Sequence, residues 1–232
     1  MSFEMIKDVL SIIGDSCIFA ITVYTFYLKF WCKKIKFLQY APSFNLFKGD
    51  SLTVTIENCS LSPICFTEVN IIYGNKYKLC ISGNDESKII EPYKIYVIKV
   101  KPFSYLDGIN LFTLNSMQDI YLEISTTRGI VYSKFWKKTK IEKNKNLQEI
   151  MIYRKIFNKH LVFPDTRYAI LFLENNEAQT VFVNDKGIMS ESIGGFNGVP
   201  PECLEDAKQI AALFSEFFTS LRIPFRVERI EY

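Results

Sequence analysis

The sequence predicts a chain in three parts: an N-terminal transmembrane helix, an all-β immunoglobulin-like sandwich and a small α+β C-terminal module. Three observations carry this expectation. Residues 9 to 28 form an apolar run of twenty residues with one charge, residues 40 to 136 alternate apolar and polar side chains between turn signals, and apolar residues from Leu204 to Leu221 recur every three or four positions. With 232 residues the chain has room for two compact domains of ~100 residues each beside an anchor.

The run from Val9 to Leu28 has the length of a membrane span, since twenty residues at 1.5 Å each cover ~30 Å of hydrocarbon. Asp15 opposes insertion by ~2.5 to 3.5 kcal/mol, and ten Val, Leu, Ile and Phe residues return ~3 to 6 kcal/mol on the same scale. On a helical wheel Ser11, Gly14, Asp15, Thr22 and Thr25 fall on one small, polar sector, a face on which helices associate. The C-terminal flank carries Lys29, Lys33, Lys34 and Lys36, whereas the first eight residues hold Lys7 against Glu4 and Asp8. The positive-inside rule then places the N-terminus outside a plasma membrane, those lysines on its inner leaflet and residues 29 to 232 in the cytoplasm. An acidic opening and an apolar run continuing past Cys17 argue against a cleaved or lipidated signal.

Domain boundaries follow from composition: 1–36 anchor with its basic exit, 40–136 sandwich, 137–147 basic linker, 148–232 C-terminal module. In the sandwich, Leu52, Val54 and Ile56 alternate with Thr53, Thr55 and Glu57. Cys65 to Tyr73, Tyr77 to Ile81, Tyr93 to Val100, Ile120 to Thr126 and Ile130 to Phe135 read as further strands. They are separated by Gly74-Asn75, Ser82 to Asp85, Glu91-Pro92, Asp107-Gly108 and Thr127 to Gly129. The Cys, Trp, Cys spacing of true immunoglobulin domains is absent, so the likeness is architectural. The layout of membrane helix, Lys-rich exit and cytoplasmic sandwich over residues 1 to 136 resembles uncharacterised single-pass proteins of low-GC Gram-positive bacteria and their mobile elements. It implies no activity.

Lys137 to Lys145 sets five lysines against Glu142 and reads as a solvated linker. In the C-terminal module Tyr168 to Leu173 and Thr180 to Val183 form a hairpin across Glu174 to Gln179, with a second turn at Asn184 to Gly187. A helix is expected from about Pro201 to Leu221, ended by Pro224, with Phe225 to Ile230 as a closing strand. One helix would cover a three- or four-stranded sheet.

Charge and motifs narrow the chemistry. Residues 37 to 136 balance nine bases against nine acids, and residues 146 to 232 hold nine against twelve, so neither domain offers the basic face that a nucleic-acid partner needs. Six cysteines lie at 17, 32, 59, 65, 80 and 203 without zinc-ligand spacing and read as free thiols. Gly194, Gly195 and Gly198 precede the helix like a phosphate loop. Pro200 and Pro201 remove two donors there, early acids repel an anion, and no Lys-Ser or Lys-Thr follows, so a mobile loop or lid is the better reading. His160, the only imidazole, could pair with Asp165 beside that loop, but nothing in the spacing selects such a set, and an ordinary surface or strand-end histidine is the better reading. No catalytic residue, metal or cofactor is indicated. The function expected is a membrane-anchored cytoplasmic interaction or sensing protein with a protein partner; self-association through the anchor helix and a lone anchoring helix are both left open. An enzyme carried by the C-terminal module and an exported adhesive sandwich are the alternatives.

Overall fold

The computed structural model describes residues 3–30, 35–45, 48–83, 87–135, 138–142 and 146–231, and within the first helix the side chains of residues 11–27. Strands predominate. In chain order α1 (Phe3–Phe30) precedes β1 (Ile35–Ser43), β2 (Asp50–Asn58), β3 (Ile64–Tyr73), β4 (Tyr77–Ser82), β5 (Lys88–Ile90), β6 (Ile95–Phe103) and β7 (Tyr105–Leu106). A short helix, α2 (Leu111–Asn115), leads to β8 (Ile120–Thr126), β9 (Gly129–Lys134), β10 (Gln148–Ile150) and β11 (Ile152–Tyr153). The remainder is β12 (Lys155–Phe157), β13 (His160–Val162), β14 (Thr166–Glu174), β15 (Glu177–Asn184), β16 (Ile188–Ile193), β17 (Phe196–Gly198), α3 (Ala207–Ser220) and β18 (Phe225–Arg229). The chain divides into two compact units, one of residues 1–42, 52–101 and 111–151, the other of residues 43–51, 102–110 and 152–232.

The first helix corrects the anchor assignment. Among the described residues no helix is long and apolar enough to cross a membrane. Asp15 with Ser11, Ser16, Thr22 and Thr25 interrupts the apolar side chains of residues 11–27. The single-pass transmembrane reading is overturned. With it go the plasma-membrane location, the outside N-terminus, the cytoplasmic placement of the remainder and the inner-leaflet role of the lysines, since positive-inside has no span to orient. Lys29 falls in α1 with its side chain outside the described set, Lys33 and Lys34 lie outside the described residues, and Lys36 is an exposed residue of β1.

In the first unit two sheets face each other. One has the order β1-β2-β6; the other runs β10-β4-β3-β8-β9 with β5 added to β3. Alternation sorts their side chains: Leu52, Val54 and Ile56 of β2 are buried, as are Val69 and Ile71 of β3 and Leu122 and Ile124 of β8. Direct contacts join the sheets, with the Phe37 amide donating to Ser133 Oγ at 2.9 Å, the Tyr40 and Tyr73 hydroxyls 3.1 Å apart and the Phe66 and Tyr96 rings edge to face at 5.4 Å. Burial pushes the Tyr40 hydroxyl up to about 12, and burial drives Tyr73 well above the ordinary range.

The described part of the basic segment, residues 138–142, is tied to this unit. Asn75, held at a φ of 54°, donates to the Lys140 carbonyl at 3.0 Å and accepts from the Glu142 amide at 3.1 Å and the Tyr121 hydroxyl at 2.9 Å. Asp119 accepts from the Lys140 amide, and Thr139 is buried. β10 follows and pairs in parallel with β4, Ile150 opposite Leu79. Lys-rich composition marked this stretch as solvated, yet its backbone finds partners while its side chains supply the charge.

The second unit holds a five-stranded antiparallel meander with order β17-β16-β15-β14-β18. The β14–β15 turn is Asn175-Asn176, with φ of 52° and 64°, the pair of left-handed residues that a two-residue hairpin with native twist requires. α3 begins later than the periodicity predicts. Pro201–Cys203 form a single 3-10 turn, and Asp206 caps α3 by accepting from the Lys208 amide at 3.1 Å. The Pro200 and Pro201 carbonyls accept from the Cys203 and Leu204 amides and close the 3-10 turn, and α3 starts afresh at the Asp206 cap, six residues on. α3 presses Ile210, Phe214 and Phe218 onto Tyr168, Ile170, Val181 and Val183.

Candidate functional site

The five-stranded sheet has two faces with different fates. Tyr168, Ile170, Val181 and Val183 point to α3, whereas Ala169, Leu171, Leu173, Ala178, Thr180, Phe182, Arg226 and Glu228 share the opposite face. The ladder sets Leu171 between Thr180 and Arg226, and Ala169 between Phe182 and Glu228. A second hairpin, β12–β13, covers one end of that face. Its turn is Asn158-Lys159, with φ of 45° and 69°, and Val162 and Phe157 pack with Ala169, Phe182 and Ile230. The tip is latched, since the Asn158 side-chain amide donates to Thr180 Oγ1 at 2.6 Å.

Beyond the tip the face is open, and a groove of about 580 Å³ results. Leu171, Leu173 and Ala178 form an apolar floor, Phe157 and Asn158 close one end, and Phe172 and Phe225 contribute where the strands end. Arg226 and Glu228 line the side on β18, joined by an ion pair of 2.8 Å. The Arg226 side chain is 72% exposed, so this pair orients charge at the rim and adds little stability. Chemically the site offers an apolar surface of ligand-pocket size with a guanidinium, a carboxylate and an amide at its margins.

The residues singled out from the sequence do not converge on it. Gly194 and Gly195 form the β16–β17 turn at φ of 56° and 88°, and a Cβ on Gly194 would stand 2.3 Å from the Phe217 ring of α3. Gly198 pairs with Ile188, and a Cβ there would come 3.2 Å from the Gly187 carbonyl oxygen. These glycines serve a turn and a close approach on the α3 side. His160 starts β13 on the opposite face, exposed, with its ring 6.2 Å from that of Phe182. The structure therefore separates His160 from the glycine loop. On α1 the stripe of Ser11, Gly14, Asp15, Thr22 and Thr25 is exposed, as is every other described side chain of that helix. Its hydroxyls are partly turned inward, Thr22 donating to the Ile18 carbonyl and Thr25 to the Ile21 carbonyl at 2.8 Å each. Apolar side chains stand out beside them, with Phe19 71% and Ile18 66% exposed.

A second polar constellation, missed in the sequence, crosses the outer face of the first unit. Tyr132, Glu123, Asn70 and Cys80 lie in register across β9, β8, β3 and β4. Lys78 reaches Glu123 at 3.2 Å and Glu68 at 3.7 Å, and Asn70 donates to Glu68 at 2.6 Å. Burial would lower the Lys78 ammonium, but the hydrogen bond to Glu123 and the nearby carboxylates outweigh it and raise it. Burial raises the Cys80 thiol. One lysine shared by two glutamates ties β3, β4 and β8 together and leaves the cluster net negative. Its signal was the polar alternation of Glu68 with Asn70 and of Lys78 with Cys80, although Asn70 itself is buried. Among the described residues no group of three or more His, Cys, Asp or Glu is placed to hold a metal ion. No protein-family model matches the chain, and no curated protein matches it.

Proposed function

We propose that this is an interaction protein whose C-terminal unit is a binding module, and that the groove between the β12–β13 hairpin and the open face of the five-stranded sheet receives an apolar group offered by a ligand or partner. The observation that carries the proposal is the half-covered face. A hairpin buries Ala169 and Phe182 while Leu171 and Leu173, two and four residues on, are left along a groove of about 580 Å³. Such a volume suits a small ligand or one or two bulky side chains. The exposed Arg226 and the Asn158 amide add orientation, because a ligand carrying an acidic group beside its apolar one meets a guanidinium at the rim.

The test is an amide-resolved titration of the full chain with small aromatic and aliphatic carboxylates. Binding in the groove moves the resonances of Asn158, Leu171, Leu173 and Ala178 together and saturably, and Leu173→Asp, at a position 45% exposed, weakens it about tenfold by placing a like charge in the floor. Saturable shifts confined to other surfaces would sink the proposal.

A further inference from the structure

β18 is an edge strand. Among the described residues it pairs with β14 alone, in the register Leu171 to Arg226, Ile170 to Val227 and Ala169 to Glu228. The Ile230 amide donates to the Arg167 carbonyl at 2.8 Å, which sets the phase of the ladder. In an antiparallel pair, residues that exchange both backbone hydrogen bonds alternate with residues that exchange none. Counting back in twos, Ile230, Glu228 and Arg226 turn their N–H and C=O groups toward β14. Phe225, Val227 and Arg229 turn theirs outward, away from the sheet.

The side chains on this edge read Phe225-Arg226-Val227-Glu228-Arg229. Charges on an edge ordinarily blunt it against pairing with another chain. Here the order of signs does the reverse for one partner. When the strand meets a second copy of itself antiparallel about Val227, Arg226 stands opposite Glu228 of the second copy, and Glu228 opposite its Arg226. Val227 faces Val227, and Phe225 faces Arg229. The outward backbone groups fall in register too. Val227 would exchange two hydrogen bonds with its counterpart, and Phe225 and Arg229 the same across each flank, so the strands would share six. Arg226 and Glu228 then occupy non-hydrogen-bonded pairs, the sites where opposed side chains come closest.

We infer that β18 is the interface of a two-fold symmetric dimer in which two five-stranded sheets join edge to edge into one continuous sheet. The occupant of the edge is a second copy of this chain, selected by charge complementarity about Val227. An axis through the paired Val227 residues and perpendicular to the sheet puts the groove face of both copies on the same side, the arrangement that an isologous contact demands. Arg226 and Glu228 line the groove in each copy, so the dimer would set two grooves side by side with the ion pairs between them. This inference does not depend on what the grooves hold.

The test is charge reversal in the full chain, read as the dimer dissociation constant by sedimentation equilibrium. Arg226→Glu places two acids against two acids in the homodimer, and Glu228→Arg places two arginines against two arginines. Each should raise the dissociation constant by about 30-fold, because two attractive pairs become repulsive at once. Arg226→Glu combined with Glu228→Arg should restore it. The two single variants mixed in equal amounts should associate with each other more tightly than either does alone, which a misfolded variant could not do. Association through α1 would be indifferent to all of these changes, so equal dissociation constants for wild type, single variants, double variant and mixture would overturn the inference.

Discussion

Phe218 ties the core of the second unit to its groove, and removing its ring should be felt in both. The residue is 1% exposed and sits amid four other rings: Phe225 stacked at 4.4 Å, Phe172 at 5.1 Å, Phe217 at 5.3 Å and Phe214 at 6.4 Å. Phe→Ala in a packed core costs ~3 to 5 kcal/mol from lost transfer free energy and the residual cavity. The stacked Phe225 contact alone is worth ~0.5 to 1.5 kcal/mol beyond its area, which places Phe218→Ala in the upper half of that range. Phe172 and Phe225 also line the groove, so their rings should relax toward the vacated space and deform its end. Phe218→Leu, which refills most of the volume, should cost ~1 to 1.5 kcal/mol and leave the groove nearly intact. Hydrogen exchange resolved to β14, β15 and β18 measures the stability of this unit without assuming that the whole chain unfolds in one step. Groove shape is read from the amide shifts of Phe172 and Phe225 and from carboxylate binding. A loss below about 1.5 kcal/mol for Phe218→Ala would refute the packing argument. Full loss with unchanged groove resonances would refute the claim that α3 supports the site.

Two further outcomes are expected. Asn75→Gly keeps a backbone conformation at φ 54° while deleting three side-chain hydrogen bonds, so tryptic cleavage after Lys138 and Lys140 should accelerate by at least about tenfold with the sandwich still folded; an unchanged rate would show that the segment is held by other contacts. Burial first, then nearby negative charge, pushes the Tyr121 hydroxyl up to about 12, and burial does the same for Tyr40, against an ordinary value of 10.0. A group raised on folding contributes stability that is complete below pH 10 and is lost as pH climbs toward 12, because the unfolded chain releases its proton first. The raised Lys78 acts in the same direction. The first unit should therefore weaken between pH 10 and 12, measured as a falling urea midpoint, and Tyr40→Phe should flatten the fall; a midpoint that is constant across this window would contradict the burial of these hydroxyls.

Local chemistry was legible wherever a single element decides it. Alternation marked Leu52, Val54 and Ile56 as inward, the three-and-four spacing marked Phe214 and Phe218 as the core face of a helix, and Asn184 and Gly187 marked a turn in which Asn184 accepts from the Lys186 and Ile188 amides. The groove was less legible. Leu171 and Leu173 alternate like any half-buried strand, and nothing near them in sequence says that β12–β13 would fold over Ala169 and stop short of them. The Asn158-Lys159 turn lacks the glycine that usually announces a hairpin, so the strands on either side of it, three residues each, were not read as one. The glycine loop misled for the converse reason. Gly194 is required by its φ and by the approach of Phe217, a contact that arises only once α3 has docked, and Gly198 lies close to the Gly187 carbonyl of the preceding turn.

By itself, then, the sequence determined the predominance of strands, the inward faces of those strands and of α3, the principal turns and the balance of charge, because each follows from the periodicity or backbone preference of a few neighbouring residues. Tertiary structure alone decided which face of the five-stranded sheet stays open, that β18 is its edge, and that Lys140 and Glu142 are pinned by Asn75. It also parted His160 from the glycine loop. These outcomes turn on strand order, on long-range hydrogen bonds and on what packs over a surface, and no local window of sequence contains that information.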